Sequence, residues 1–549
     1  MKKNFKKVLT VLVALMMVMT LLAGCGGGGG GSTDGGGDAT DNADKVLTLR
    51  LPGPLQSADW AQTNAVVDMA VTWINVFEGL FGMDEGAGGY YPALAEDVQV
   101  SEDQLVYTIT LRDAKFQNGD QLKASDVVFS YDRARENSRF NYLTNMIDSY
   151  RAVDDRTFEM TLKYPYSAIQ HTFFSIKISS EREVTEQGDA WGTIPHTAAT
   201  GPYIITEYDP AGGLKLEAFE DYWGGAPDVK HVEYIVISED SAAVIAYENG
   251  EIGYLHDAPT SEWEEVEAAA EGNSAMIKGN NIRTLWINWE SKNNDGILAN
   301  ENVRKAIFYA LNKENINQVV TSGYGSVSHC EYIPSDYCAT SPNWQDGTFE
   351  TYEFDPDKAH QCLLDAGFTE DQIAAGIPVG TITTYGAQTA EKAKAAQVMQ
   401  SNLRDVGLLA EVEVQDISII SPRLHAFDYD MCIFGDSGNY DFNNIRQVVA
   451  TESNGENNQG GGMSVVRFNG PDGNSPFDWQ KIDDLVNQGV GTFDTAERYE
   501  IYTELWKTVM DTAIADPYIH LPVGIAWRAD LDIGTPCPTY YRLSNFSWK

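Results

Sequence analysis

Six cysteines and eight histidines are the residues best able to bind a metal or attack a substrate. No two cysteines form a CxxC pair, so neither a zinc ribbon nor a thioredoxin-type site is indicated. No histidine sits in HExxH, and the adjacent His329 and Cys330 have no neighbours at ligand spacing. No metal and no cofactor is expected. The chain contains no Gly-Lys pair, which excludes a GxxxxGK[ST] phosphate loop. Gly435-Asp436-Ser437-Gly438 approaches the GxSxG nucleophile elbow but continues into Asn439. No GxGxxG follows a strand-like run, so the chain is read as a non-enzyme. Cys330 and Cys338 lie close enough to close a small loop, worth roughly 2–3 kcal/mol through the unfolded chain. Pairing among these two, Cys362, Cys432 and Cys537 is not fixed by sequence.

The N-terminus carries a different chemistry. Lys2, Lys3, Lys6 and Lys7 precede the apolar run Val8–Leu22, which suits a signal peptide and is short of the ~20 residues of a spanning helix. Leu22-Ala23-Gly24-Cys25 resembles a bacterial lipoprotein box, with Cys25 as the lipidated residue. Gly26–Gly31 and the Gly/Ser/Asp stretch after it read as a flexible tether. Residues 1–24 are expected to be removed and residues 25–45 to moor a folded body by lipid at the extracytoplasmic face of a bacterial cell membrane. Loss of four lysines and no acids would take the formal charge from −42 to −46.

That acidity speaks against nucleic acid, because phosphate backbones repel such a surface and no basic cluster follows residue 7. A chain of 549 residues exceeds one ordinary core, and 43% hydrophobic residues support a packed interior.

The elements that must position any site alternate in type. Val46–Leu51, Leu105–Leu111 and Thr157–Leu162 alternate in polarity and read as strands. Val71–Phe81 has helical spacing. Ser125-Asp126 is placed to cap a helix through Val127, Val128 and Tyr131. Ile282–Trp289 is a strong strand, and helices dominate after it. Asp355-Pro356 starts a helix that Gly367 stops. Lys392–Val406 and Tyr499–Met510 are further helices; Ala410–Val414, Tyr429–Phe434 and Tyr518–Trp527 are strands. The apolar stripes are core.

Asn75-Val76-Phe77-Glu78-Gly79-Leu80, Pro92-Ala93-Leu94-Ala95, and Tyr107 to Arg112 with Phe116, Gly119, Leu122, Ala124, Asp126 and Val127 form an ordered motif series. Gly201-Pro202-Tyr203, Tyr222-Trp223-Gly224-Gly225, Val303-Arg304-Lys305-Ala306, Ala310-Leu311-Asn312-Lys313 and Asp355-Pro356-Asp357-Lys358-Ala359 continue it. In this order they resemble the peptide/nickel class of bacterial ABC-transporter solute-binding proteins, over residues 46–530. Gly250-Glu251-Ile252-Gly253 departs from that family's G-E-x-D, and a local effect on the turn is expected.

The resemblance implies an α/β fold: a two-lobed clam of the type II periplasmic-binding-protein kind, with mixed sheets flanked by helices. Lobe one would comprise residues 46–285 and 518–549, with an extra subdomain at 82–198. Lobe two would be 290–515, with the strands near Ile282–Trp289 and Tyr518–Trp527 as hinge. It further implies a monomer that captures a peptide and delivers it to ABC permease subunits. An opine, oligosaccharide or nickel chelate as ligand stays open, as does an exported enzyme or a sensor on this scaffold. Peptide-binding members hold the ligand's ammonium group on an aspartate, which implies Asp436 here, flanked by Gly435 and Ser437, with Asp441 in reserve. Trp60, Tyr385, Phe434 and Tyr440 are candidate walls, and Gly386 allows close backbone approach. The segment Thr383–Thr389 lacks the arginine with which dipeptide specialists hold a carboxylate, which favours longer peptides.

Overall fold

The computed structural model describes Asn42 and residues 44–62, 69–84, 89–137, 140–193, 195–209, 211–335, 337–343, 347, 349–386, 390–437, 441–451 and 466–549. Cys25, the leader, the glycine tract and Tyr440 lie outside these.

Eleven strands form one mixed sheet. In chain order they are β1 (Val46–Leu51), β2 (Tyr203–Asp209), β3 (Gly213–Ala218), β4 (His231–Val236), β5 (Tyr254–Ala258) and β6 (Ser274–Ile287). After these come β7 (Ser326–Val327), β8 (Ile377–Tyr385), β9 (Leu408–Gln415), β10 (Met431–Ser437) and β11 (Ala515–Trp527). The spatial order is β9-β8-β10-β6-β11-β5-β1-β4-β3-β2, with β7 on β11. The pairs β8–β9, β8–β10, β1–β4 and β1–β5 are parallel. Parallel strands are buried on both faces, which suits the apolar run Met431–Phe434 in β10.

β6 and β11 join the two halves of this sheet. Ser274–Lys278 pairs antiparallel with Ala526–Pro522, and Ile282–Trp286 pairs with His520–Ala515. Between these stretches the register breaks, at Gly279–Asn281 opposite Leu521. A Cβ at Gly279 would lie 2.1 Å from the Leu521 carbonyl oxygen, so only glycine lets the backbones meet there.

A separate antiparallel sheet has the order Ala95–Val100, Val106–Leu111, Thr157–Leu162, Ile147–Ala152. Its alternation is real: Tyr107, Ile109 and Leu111 are buried while their neighbours are half-exposed.

Helix boundaries follow local chemistry. In α1 (Ala124–Glu136) the N-cap is Lys123, and Asp126 sits three residues inside. Its carboxylate accepts from Lys123 N at 3.0 Å and from Glu181 N at 3.0 Å, so it closes the helix start from within instead of capping it. In α2 (Pro356–Asp365) the Asp355 carboxylate accepts from Lys358 N at 3.0 Å, as the Asp-Pro signal foretold. α3 (Glu391–Asp405), α4 (Trp479–Gly491) and α5 (Thr495–Met510) complete the later segment.

Two expectations are corrected. The helical spacing at Val71–Phe81 yields only a wide turn at Met69–Trp73 that runs on through Asn75. Tertiary contacts override it: buried Asn75 accepts from Leu543 N at 2.8 Å, and Gly79 is pressed against the Phe173 carbonyl. Cys338 carries a free, buried thiol with its Sγ 3.2 Å from Thr340 Oγ1, so it does not close a loop with the buried Cys330. The Gly253 departure also has a local reason. A Cβ there would lie 3.0 Å from both Leu47 Cδ1 and Arg528 Cδ, so an aspartate would require these side chains to shift.

Candidate functional site

The C-terminal ends of parallel β8 and β10 stop beside the register break of β6. Ligands of α/β sheets gather outside such strand ends. Thr383 pairs with Cys432, which sets Tyr385 level with Phe434; their rings are 6.1 Å apart and tilted by 52°. Gly386 follows at φ +115°, its N–H donating to the Gln415 carbonyl at 3.1 Å. The backbone of Asp436 lies opposite Ile282, and that of Ser437 opposite Asn281. Ile282 in turn pairs with His520 on β11, so Asp436 stands in a register row that crosses the sheet at its break.

Gly435 lies opposite Arg283, and a Cβ there would stand 2.2 Å from Arg283 Nη1. A side chain at this position would displace the guanidinium that occupies the space. Arg283 donates through Nε at 2.8 Å to Glu391 Oε1, with Nη2 also 2.8 Å from that oxygen. Lys392 Nζ is 3.1 Å from the same oxygen and 4.4 Å from the centre of the Tyr385 ring. Burial opposes ionisation of Glu391, but Arg283 and Lys392 outweigh it and hold its carboxyl at about 2. Burial, with the nearby Arg283, moves the Lys392 ammonium below its ordinary value, against the pull of Glu391.

Sequence reasoning missed this triad. Arg283 stands alone in the apolar strand IRTLWINW, and that exception was the one signal available.

Two candidates are placed elsewhere. Trp60 is fully buried; its Nε1–H donates to Ser179 Oγ at 2.9 Å, and its ring packs 5.4 Å from Phe140 and 5.7 Å from the Arg133 guanidinium. It is a core residue. Asp441 is ion-paired with Arg498 and accepts from Asn443 N at 2.9 Å, so its charge is already matched.

The segment Tyr164–Ser167 meets residues from beyond β10. Ser167 N donates to the Val490 carbonyl at 2.8 Å and Ser167 Oγ to that of Gly489 at 3.1 Å. Asn443 Nδ2 donates to Tyr166 Oη at 3.1 Å, and Arg446 Nη2 to Tyr164 Oη at 3.3 Å. A separate concavity of about 220 Å³ is lined by Tyr91, Tyr254, Cys537, Tyr540, Arg542 and Phe546, none of which was expected at a site. Among the described residues no cluster of three His, Cys, Asp or Glu could hold a metal ion, and no helix is long and apolar enough to cross a membrane.

Comparison with known proteins agrees with this architecture. NikA from Brucella suis in complex with Fe(III)-EDTA superposes with a TM-score of 0.78 at 20% identity, covering 92% of this chain and 100% of that one. The oligopeptide-binding protein AppA from Bacillus subtilis in complex with a nonapeptide gives 0.72 at 17% identity, covering 92% and 99%. The fold is thus that of two-lobed periplasmic binding proteins. A glutathione-binding protein of Pectobacterium atrosepticum is 27% identical over 385 residues, spanning 65% of this chain and 70% of the relative. Residues 89–456 match the family model described as bacterial extracellular solute-binding proteins, family 5 middle. The chain therefore belongs to family 5 of the bacterial extracellular solute-binding proteins.

Proposed function

We propose that this chain is the extracytoplasmic receptor of an ABC importer and captures peptides between two lobes that close about β6 and β11. One observation carries the reading: two strands cross between the halves of the sheet, and the candidate ligand residues of β8 and β10 lie beside the break in their pairing. Lobe one comprises residues 46–285 and 518–549, with 82–198 as its extra subdomain, and lobe two comprises 290–515. The hinge lies at Gly279–Asn281 and Leu521, where the ladder is already interrupted and a backbone rotation sacrifices few hydrogen bonds. The contacts of Tyr164–Ser167 with Asn443, Arg446, Gly489 and Val490 are then bonds of the closed form, which a ligand favours by binding it more tightly than the open one.

Asp436 receives the ligand's ammonium group, since a cation taken from water needs a paired carboxylate. Tyr385, Gly386, Phe434, Gly435 and Ser437 border it, and Tyr440 follows it in the chain. Cys25 carries the lipid that holds this monomer at the membrane beside its permease. A peptide ligand is supported by the relative named for glutathione and the neighbour named for a nonapeptide complex. Mass spectrometry of the small molecules released from purified, denatured protein tests the ligand class. Peptides with free amino termini are expected; an opine, a sugar or a metal chelate as the sole species contradicts the reading.

A further inference from the structure

Arg283, on a crossing strand, lies far in sequence from Glu391 and Lys392, which are neighbours in the first turn of α3. Two cations converge on one carboxylate oxygen, Glu391 Oε1, at 2.8 and 3.1 Å. The cluster therefore carries one positive charge in excess, in a chain whose formal charge is −42. It is not a surface feature: the side chains of Arg283, Glu391 and Lys392 are 13%, 25% and 12% exposed. A half-buried excess charge is costly unless something completes it.

The contacts of Lys392 show what is incomplete. An ammonium has three N–H donors. Among the described residues they meet one carboxylate oxygen, already shared with Arg283, and the face of Tyr385. Burial moves this lysine's proton affinity down, as expected for a cation with too little negative charge around it. The ring it stands on is the one expected to border the ligand. Arg283, for its part, fills the space above Gly435, the residue before Asp436. The cations thus stand at the mouth of β8 and β10.

We propose that Arg283 and Lys392 form an anion subsite that receives the carboxylate of the bound ligand, with Lys392 as the direct contact and Glu391 holding both cations in place. The proposal rests on the peptide reading above and deepens it: the ligand carries a free carboxylate as well as an ammonium group. Glu391 keeps the empty subsite from holding two uncompensated charges, and leaves one for the ligand. This subsite replaces the arginine that Thr383–Thr389 lacks, so the carboxylate is gripped from β6 and α3 and not from the end of β8.

The test uses ligand-stripped full-length protein and an equimolar library of short peptides, each made as the free acid and as the C-terminal amide. Retained peptides are identified by mass spectrometry. Wild-type protein is expected to enrich acids over amides about tenfold or more, the scale of a charge-assisted hydrogen bond. Lys392→Met, with an unchanged melting temperature, is expected to hold acids and amides alike, and Lys392→Arg to restore the preference. Equal retention of acids and amides by wild-type protein overturns the proposal and leaves the peptide reading intact, as does an acid preference that survives Lys392→Met. Retention of neither form overturns the peptide reading and this proposal with it.

Discussion

Asp436→Ala is expected to weaken peptide binding by at least about thirtyfold while leaving the fold unchanged. Truncating one partner of a desolvated charge pair costs roughly 2–5 kcal/mol, and each 1.4 kcal/mol is a factor of ten. Most of that cost is the ammonium group left without a counter-charge in a closed cleft. The fold should tolerate the change because Asp436 contributes to the sheet through its backbone, in register with Ile282. Asp436→Asn separates charge from shape: it keeps the side-chain volume and an acceptor, and should recover only a small part of the loss. Calorimetric titration with a peptide identified from the purified protein measures both. A dissociation constant within about twofold of wild type in Asp436→Ala would remove this residue from the site.

Lys313→Met is expected to destabilise the protein by roughly 3–5 kcal/mol at pH 7, and by clearly less at pH 5. Lys313 Nζ stands 2.6 Å from Asp516 Oδ1, and also donates to the carbonyls of Ser328 at 3.2 Å and Pro517 at 3.3 Å. The side chains are 6% and 0% exposed, so the pair is buried within the crossing strand β11 and its neighbours. Burial raises the Asp516 carboxyl from 3.8 to about 6, with Lys313 pulling it down against that rise. The folded chain therefore holds the proton more tightly than the unfolded chain between those values, and stability falls as pH rises through that window. Without Lys313 the folded value climbs further, and the fall extends to higher pH. At pH 5 the variant buries a neutral acid; at pH 7 it must bury a charge or carry a proton at a cost. Urea unfolding at the two pH values distinguishes these states. An equal loss at both means that the lost packing of the lysine stem, and not the orphaned carboxylate, dominates.

What the sequence disclosed depended on how local each signal was. The Asp355-Pro356 start, the Gly367 stop and the alternating strand at Tyr107–Leu111 follow from chemistry contained within a few residues, and the structure has them. The helical spacing near Val71 gives only a wide turn because Phe81 packs 5.3 Å from Phe173 and Asn75 bonds to Leu543, contacts invisible to periodicity. Trp60 was a reasonable ligand wall by residue type, yet its indole is satisfied by Ser179 in the core. Asp441 offered a carboxylate in the right stretch, but its partner Arg498 lies more than fifty residues away on α5. The same separation hid the Arg283–Glu391–Lys392 cluster. Sequence motifs carried the family and the strand that leads to Asp436; only the fold could show which charges are already spent and which remain in excess.

Peptide capture is expected to close two lobes about Gly279–Asn281 and Leu521. Small-angle X-ray scattering on ligand-stripped protein, before and after addition of a peptide that calorimetry shows to bind, tests it most directly. The radius of gyration is expected to fall on binding, as the contacts between Tyr164–Ser167 and the Asn443–Arg446 and Gly489–Val490 segments form. An unchanged radius of gyration at saturating peptide would contradict it.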